Sequence, residues 1–183
     1  GRARLMPADW SRIRLLVADA DGVLTNGTIA LDSEGRRVGL FSVRDGMGVR
    51  LAQQAGLEIA IVSGAASPAL RARASELHIR HLREGVQHKD RAVLDLQRET
   101  GWGREQTAMI GDDLNDLPAF REVGVAVAVA DAVQEVQRRA HHVTRQPGGA
   151  GALREVVELV LRAQGSWERV LRQLFDLPPD RGS

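Results

Sequence analysis

Residues 14–25 read RLLVADADGVLT, and the fold turns on how this stretch divides. Its first half, RLLVAD at 14–19, is a short apolar run of the kind that fills a strand covered on both faces. It ends in Asp19, Asp21 and Gly22, so the acids fall in a loop at the strand's carboxyl end. The same alternation recurs downstream. Strands are predicted at 57–62, 79–82, 107–110 and 125–129, with a small edge strand at 142–144. Helices are predicted from about Pro68, over 89–100, around 115–123, over 133–140 and over 152–163. Strands alternating with helices imply a three-layer, Rossmann-like α/β fold around a mostly parallel sheet.

The segment between the first strand and the rest reads differently. TIAL, a turn at DSEG (32–35) and RRVGLFSV predict a β-hairpin over 28–43. Asp45 then suits the cap of a helix running to about Ala55. At the other end, 167–175 reads as an amphipathic turn or two and LPPDRGS as a loose tail. One domain over 12–165, followed by that segment and tail at 166–183, is the expected organisation.

Composition limits the function. The chain of 183 residues is 43% apolar and 27% charged, enough to bury a core without staples. It has no cysteine, which removes disulfides, thiolate metal sites and a thiol nucleophile. No apolar run approaches the ~20 residues of a membrane span. No secretory pattern opens the chain either, so a cytoplasmic protein without membrane contact is expected. Because the first residue is Gly1 rather than Met, a trimmed N-terminus is expected. With a net charge of +1, 3% aromatics and no tyrosine, there is no basic stripe with stacking platforms, so nucleic acid is not the expected partner.

Asp19 and Asp21 are costly to crowd. Like charges about 4 Å apart repel by about 4 kcal/mol at an effective dielectric near 20. Proteins accept this where a divalent cation or a shared proton compensates. GDDLND at 111–116 repeats the theme after another predicted strand, and Asp112 or Asp113 could also cap a helix there. Hard oxygen donors without cysteine or paired histidine favour Mg2+ over zinc. After EIAIV come Ser63 and Gly64, a hydroxyl and an amide suited to phosphate oxygens, or equally to a plain turn. Finally, Lys89 is the single lysine among 25 basic residues. A compact ammonium there neutralises crowded carboxylate and phosphate differently from a forked guanidinium. His88, His141 and His142 carry no signal beyond packing.

These four segments, in this order over roughly Ile13 to Gln164, resemble the haloacid dehalogenase superfamily of phosphotransferases. The resemblance implies Asp19 as nucleophile and Asp21 as general acid and base. Ser63 and the Gly64 amide would bind phosphate, and Lys89 would hold its charge with Asp116 orienting the lysine. Asp19, the Asp21 backbone carbonyl and Asp112 would ligate Mg2+, with Asp113 supporting. Asp21 argues against a dehalogenase, which needs no acid there. DGVLTNG, the hairpin, FSVRDGMG and GGAGALRE further resemble the capless family of 3-deoxy-D-manno-octulosonate 8-phosphate phosphatases. That family implies a homotetramer in which neighbouring subunits close each site, since the segment between Asp19 and Arg44 is too short for a cap domain.

Two positions depart from the family's pattern. Ala65 and Ala150 stand where arginines are common, which predicts a substrate without a carboxylate unless Arg44 contacts it. The expected substrate is a small phosphorylated, sugar-like metabolite. The alternatives are a relative recruited to another sugar or nucleoside phosphate in specialised metabolism, and a non-catalytic oligomerisation module.

Overall fold

Parallel strands covered on both sides have no face to give to water, and the central strands of the main sheet are accordingly apolar. The computed structural model describes residues 7–178. β1 (Leu15–Ala18) is buried at every position. Between it and the next sheet strand lies a separate antiparallel pair, β2 (Ala30–Leu31) and β3 (Arg37–Val38). The main sheet continues with β4 (Glu58–Val62), β5 (His81–Arg83), β6 (Thr107–Gly111), β7 (Val125–Ala128) and β8 (His142–Val143). Its order is β5-β4-β1-β6-β7-β8, parallel throughout.

The chain leaves β1 for β4 and β5 on one side, then crosses to β6, β7 and β8 on the other. The winding therefore reverses at β1, and ligands bind such sheets in the crevice beyond the strand ends at that point. Register brings the right residues there. Ala18 pairs with Ile61 and with Ile110, so β1, β4 and β6 finish nearly level. Asp19, Ser63 and Asp112 follow at one rim.

Among the described residues seven helices accompany the sheet: α1 (Val43–Ala55), α2 (Pro68–Glu76), α3 (Lys89–Thr100), α4 (Leu117–Phe120), α5 (Gln134–Gln137), α6 (Ala152–Ala163) and α7 (Trp167–Phe175). Ser42 and Ser67 cap α1 and α2 with their hydroxyls, and Pro68 opens α2. α1 packs against α6 and α7, and α3 against α4. The expected three-layer α/β fold with a hairpin flap is what forms. Only the β2–β3 hairpin stands between β1 and α1, so no cap domain interrupts the chain there.

Several local expectations need correction. Asp45 does not cap its own helix, because Ser42 does so and α1 starts at Val43, which the hairpin reading had placed in a strand. Instead the buried Asp45 carboxylate accepts N–H bonds from Gly151 (3.2 Å) and Arg154 (3.0 Å). Gly151, at the head of α6, has no side chain to cap that helix, and Asp45 does it from across the core. Burial raises the Asp45 pKa, opposed by the N–H groups of Arg154, Gly151 and Leu153.

The hairpin pairs only two residues on each side, because an isolated two-stranded ribbon gains little from length. Its turn is firmer: Asp32 Oδ1 accepts N–H bonds from Glu34 and Arg36, both at 2.9 Å. The strand expected at 79–82 moves to His81–Arg83, since the Ile79 N–H is used to close the end of α2 on Ala74. The helices expected at 115–123 and 133–140 contract to α4 and α5. A 3-10 turn (Leu114–Asp116) precedes α4, and past α5 the His141 N–H bonds Ala126, drawing the chain into β8.

At the C-terminus Val170 of α7 is buried, and the Arg162 guanidinium stacks 4.5 Å above the Trp167 ring. Residues 179–183 of the expected loose tail lie outside the described residues. Among the described residues no helix is long and apolar enough to cross a membrane.

Candidate active site

Asp19 is the first residue beyond β1, and its N–H still donates to Ile110 of β6 at 3.1 Å. That bond fixes the backbone, and burial fixes the side chain. Oδ1 accepts the Ala20 N–H (2.8 Å) and lies 2.8 Å from Lys89 Nζ. Oδ2 accepts a hydrogen bond from none of the described residues, which leaves it free for an electrophile.

Lys89 is the first residue of α3 and is almost fully buried. Its ammonium bridges Asp19 Oδ1 and, at 2.7 Å, Asp116 Oδ1. The other oxygen of Asp116 accepts the N–H groups of Asp112 (2.9 Å) and Asp113 (3.3 Å). Both oxygens of this fully buried carboxylate are thus committed, one to Lys89 and one to the loop that carries Asp112. Asp113 is exposed, and its Oδ1 caps Leu114 at 2.7 Å.

Crowding shows in the proton affinities. Burial, and then repulsion from Asp116, pushes Asp19 up to about 6 in spite of Lys89. Burial, followed by the charges of Asp19, Asp116 and Asp113, pushes Asp112 up to about 7. For Lys89 burial alone would lower the pKa, but Asp19 and Asp116 outweigh it and hold the ammonium above its ordinary value. One oxygen from each of Asp19, Asp112 and Asp116 lies within 4.8 Å of the others. An all-oxygen set of this kind with excess negative charge suits a hard divalent cation. Since Asp116 is already committed, Asp19 and Asp112 are the carboxylates left to hold it.

Glycines bring the backbone to this cluster. Gly22 sits at φ +87°, and a Cβ there would collide with the Asp112 carboxylate, so the Asp21–Gly22 backbone passes against the acids. Gly148 in turn seats its backbone on the Gly22 carbonyl, where a Cβ would also collide, and its N–H donates to Asp131 at 2.8 Å. Gly149 N–H donates to the Val23 carbonyl at 2.8 Å. The GGAG segment is thus a clamp on the acid loop. Thr25 Oγ1 steadies the same loop by accepting the Gly22 and Gly27 N–H groups, both at 3.3 Å.

Ser63 follows β4 on the same rim and is buried. Its hydroxyl donates to the Ala65 carbonyl at 2.9 Å, with the exposed Gly64 amide between them. Asp21 and Ser63 line one crevice, roofed by the hairpin through Arg37, Val38 and Phe41 and floored near Ala65. Asp21 is half exposed, and its Oδ2 lies 3.1 Å from Arg37 Nη1.

Arg44 is not brought to this crevice. It is exposed and lines a separate groove with Ala150, Arg145 and Arg154. The histidines stand apart too. His88 is exposed and makes no cap bond. His141 Nδ1 accepts the Ala126 N–H at 2.9 Å, and its pKa is lowered, first by burial and then by Arg104. His142 stacks edge-on against Trp10, centroids 5.5 Å apart. Sequence reasoning missed Arg37, one arginine among many, and the loop-fixing roles of Thr25 and Asp131. Thr25 at least sits inside the motif that drew attention.

A doubly wound sheet with a lysine-backed acid cluster at its central strand defines a haloacid dehalogenase-like hydrolase, and comparison with known proteins agrees. The haloacid dehalogenase-like hydrolase family matches residues 69–154. The 3-deoxy-D-manno-octulosonate 8-phosphate phosphatase of Haemophilus influenzae is 42% identical over 160 residues, covering 87% of this chain and 89% of that protein. The Moraxella catarrhalis phosphatase of the same name, solved with magnesium, phosphate and its sugar acid, superposes with a TM-score of 0.87. It is 36% identical and covers 90% of this chain and 95% of its own. The cobalt-bound structure of the Haemophilus influenzae enzyme gives a TM-score of 0.85 at 40% identity, over 92% and 96% of the two chains. The chain belongs to the haloacid dehalogenase superfamily and, within it, to the family of the 3-deoxy-D-manno-octulosonate 8-phosphate phosphatases. It is a phosphatase.

Proposed function

We propose that the chain hydrolyses a small sugar-acid phosphate, 3-deoxy-D-manno-octulosonate 8-phosphate, with Mg2+ and through an aspartyl-phosphate on Asp19. The observation that carries this reading is the buried bridge of Lys89 between Asp19 and Asp116, with Asp112 on the same rim. Asp19, Asp112 and the Asp21 backbone carbonyl would hold the metal, which when bound would supply positive charge to the phosphoryl oxygens and the nucleophile. An Asp19 oxygen attacks phosphorus and the bond to the ester oxygen breaks. Asp21 gives its proton to the departing alkoxide, which leaves as the sugar alcohol. The Asp21 carboxylate then takes a proton from water, which attacks the aspartyl-phosphate, frees inorganic phosphate and restores Asp19. Ser63 and the Gly64 amide hold phosphoryl oxygens, and Lys89 balances their charge. Asp113 and Asp116 keep the second acid loop in place.

The enzyme works in the cytoplasm as a homotetramer in this reading, and no nucleic acid or membrane takes part. Ala65 in the crevice favours a second reading, a sugar or nucleoside phosphate without a carboxylate. One experiment addresses both: phosphate release from octulosonate 8-phosphate, neutral sugar phosphates and nucleotides, each with Mg2+ and with chelator. Preference for the sugar acid supports the first reading, and preference for a neutral ester the second. No release from any of these esters in Mg2+ sinks both.

A further inference from the structure

Arg37 occupies a place that the reaction as described does not use. It lies on β3 of the hairpin, yet its Nη1 reaches across to Asp21 Oδ2 at 3.1 Å. Among the described residues lining that crevice it is the single cation, and much of the rest of the wall is apolar: Ile29, Val38, Leu40, Phe41, Ala65 and Leu70. Lys89 is spoken for by Asp19 and Asp116, and Arg44 faces another groove. A second negative group on a substrate bound here, beyond the phosphoryl group, meets one guanidinium and little else of opposite charge.

The Arg37–Asp21 contact itself is weakly held. Asp21 is 52% exposed and Arg37 34% exposed, and pairs in such surroundings contribute little and exchange readily. Asp21 engages Arg37 through one nitrogen, whereas a guanidinium carries five N–H donors in a fork that matches a carboxylate through two parallel bonds. In the proposed reaction Asp21 must also be free to move a proton to and from the reacting oxygen.

We propose that Arg37 is a specificity-determining residue that leaves Asp21 when substrate enters and takes the substrate's carboxylate instead. The exchange gives a sugar-acid phosphate two advantages over a neutral one: a fork-matched ion pair, and release of the acid–base carboxylate from its resting partner. The inference rests on the reading of Asp21 as acid and base and of the substrate as a phosphate ester.

The experiment compares kcat and KM of the wild-type protein, Arg37→Ala and Arg37→Lys on two esters. One is octulosonate 8-phosphate and the other D-arabinose 5-phosphate, which presents a phosphorylated terminal carbon without a carboxylate. Arg37→Ala is expected to lower the ratio of kcat/KM between acid and neutral ester at least tenfold, chiefly through KM for the acid. Arg37→Lys, keeping the charge but not the fork, is expected to restore part of that ratio. Equal losses on both esters, lying in kcat, would mean that Arg37 serves Asp21 alone and would overturn the proposal. So would an unchanged ratio, or a wild-type enzyme that prefers the neutral ester. In that last case hydrolysis of the neutral ester leaves the phosphatase chemistry standing, and absence of turnover with either ester would count against the proposed function itself.

Discussion

Lys89 Nζ stands 2.7 Å from Asp116 Oδ1 and 2.8 Å from Asp19 Oδ1, with all three side chains withdrawn from water. Removing one partner from a buried charged group leaves the other uncompensated at a cost of about 3–5 kcal/mol. Here proton uptake by the raised Asp19 relieves part of the loss. Lys89→Ala is therefore expected to cost about 3 kcal/mol, or about 6–12 °C in Tm for a chain of this size. Lys89→Arg should not rescue it, because a branched guanidinium overpacks a site closed around a point charge, typically by about 1–3 kcal/mol. Thermal melts of the three proteins check this. A Lys89→Arg protein with wild-type Tm would show that the pocket has room the distances do not suggest.

The two aspartates of the first loop differ in surroundings, and their variants should differ too. Asp19→Asn replaces the buried carboxylate proposed as nucleophile by an amide and is expected to end turnover while the fold persists. Asp21→Asn, in a half-exposed position, removes the proton transfer proposed for it, which is typically worth about 10²–10⁴-fold. Its loss should be largest for poor alkoxide leaving groups and small for a nitrophenyl ester. Equal losses on both kinds of ester would take the acid–base role away from Asp21.

Much of this site was legible in the sequence, because its parts lie at strand ends and strands announce themselves. Asp19, Ser63 and Asp112 each follow an apolar run, and the level register of β1, β4 and β6 gathers them. The bounds of α3 and α6 likewise follow from periodicity and closing residues. Long-range partners were not legible. Asp45 looked like a cap for the helix it stands in, but the groups it serves lie more than a hundred residues away. Arg37 carried no mark, because its meaning is the distance to Asp21 that the hairpin sets. Arg44 seemed close to the chemistry because it adjoins the motif, yet α1 directs it to another groove.

Metal binding and pH should be linked with a definite sign. In the folded protein burial, followed by repulsion from neighbouring carboxylates, pushes Asp19 up to about 6 and Asp112 up to about 7, both above the ordinary 3.8. Between those limits the folded state holds more protons than the unfolded one, so these groups make the metal-free protein less stable as pH rises. A divalent cation needs both carboxylates ionised and competes with the protons. In chelator, Tm should fall on going from about pH 5 to about pH 8, and Mg2+ should raise it more at the higher pH. A magnesium effect that is larger at the acid end would remove Asp19 and Asp112 as ligands.

Asp45 ties α1 to the head of α6 by accepting two backbone N–H bonds, and Gly151 offers no side chain to replace it. Loss of a helix cap costs about 0.5–2 kcal/mol, toward the upper end when the freed N–H groups are buried. Asp45→Ala should lower Tm by about 4–8 °C, and Asp45→Asn, which keeps one acceptor oxygen, by less. Because α6 follows the glycine clamp on the acid loop, activity near the melting onset should fall before the bulk of the fold does. Equal Tm for Asp45→Ala and wild type would show that water takes over the cap.

The hairpin presents an unusual amount of apolar surface: Ile29, Leu31, Val38 and Leu40 are 57%, 61%, 47% and 69% exposed, and Val43 beside them is 84% exposed. A two-stranded ribbon with open edges and apolar side chains on show is an association surface in water. It also roofs the crevice that holds Asp21 and Ser63, so whatever covers the hairpin shields the chemistry. Copies of the same chain would do both at once, and a closed ring of four satisfies the surface without leaving an edge. Light scattering should give the mass of a tetramer. Val43 is outside the crevice lining and outside the β2–β3 pairing that carries Arg37, so Val43→Glu tests the contact without touching the pocket. That variant is expected to run as a smaller species and to lose activity mainly as a rise in KM, since water enters an uncovered site. A wild-type monomer at micromolar concentration with full activity would mean that the hairpin closes the crevice alone.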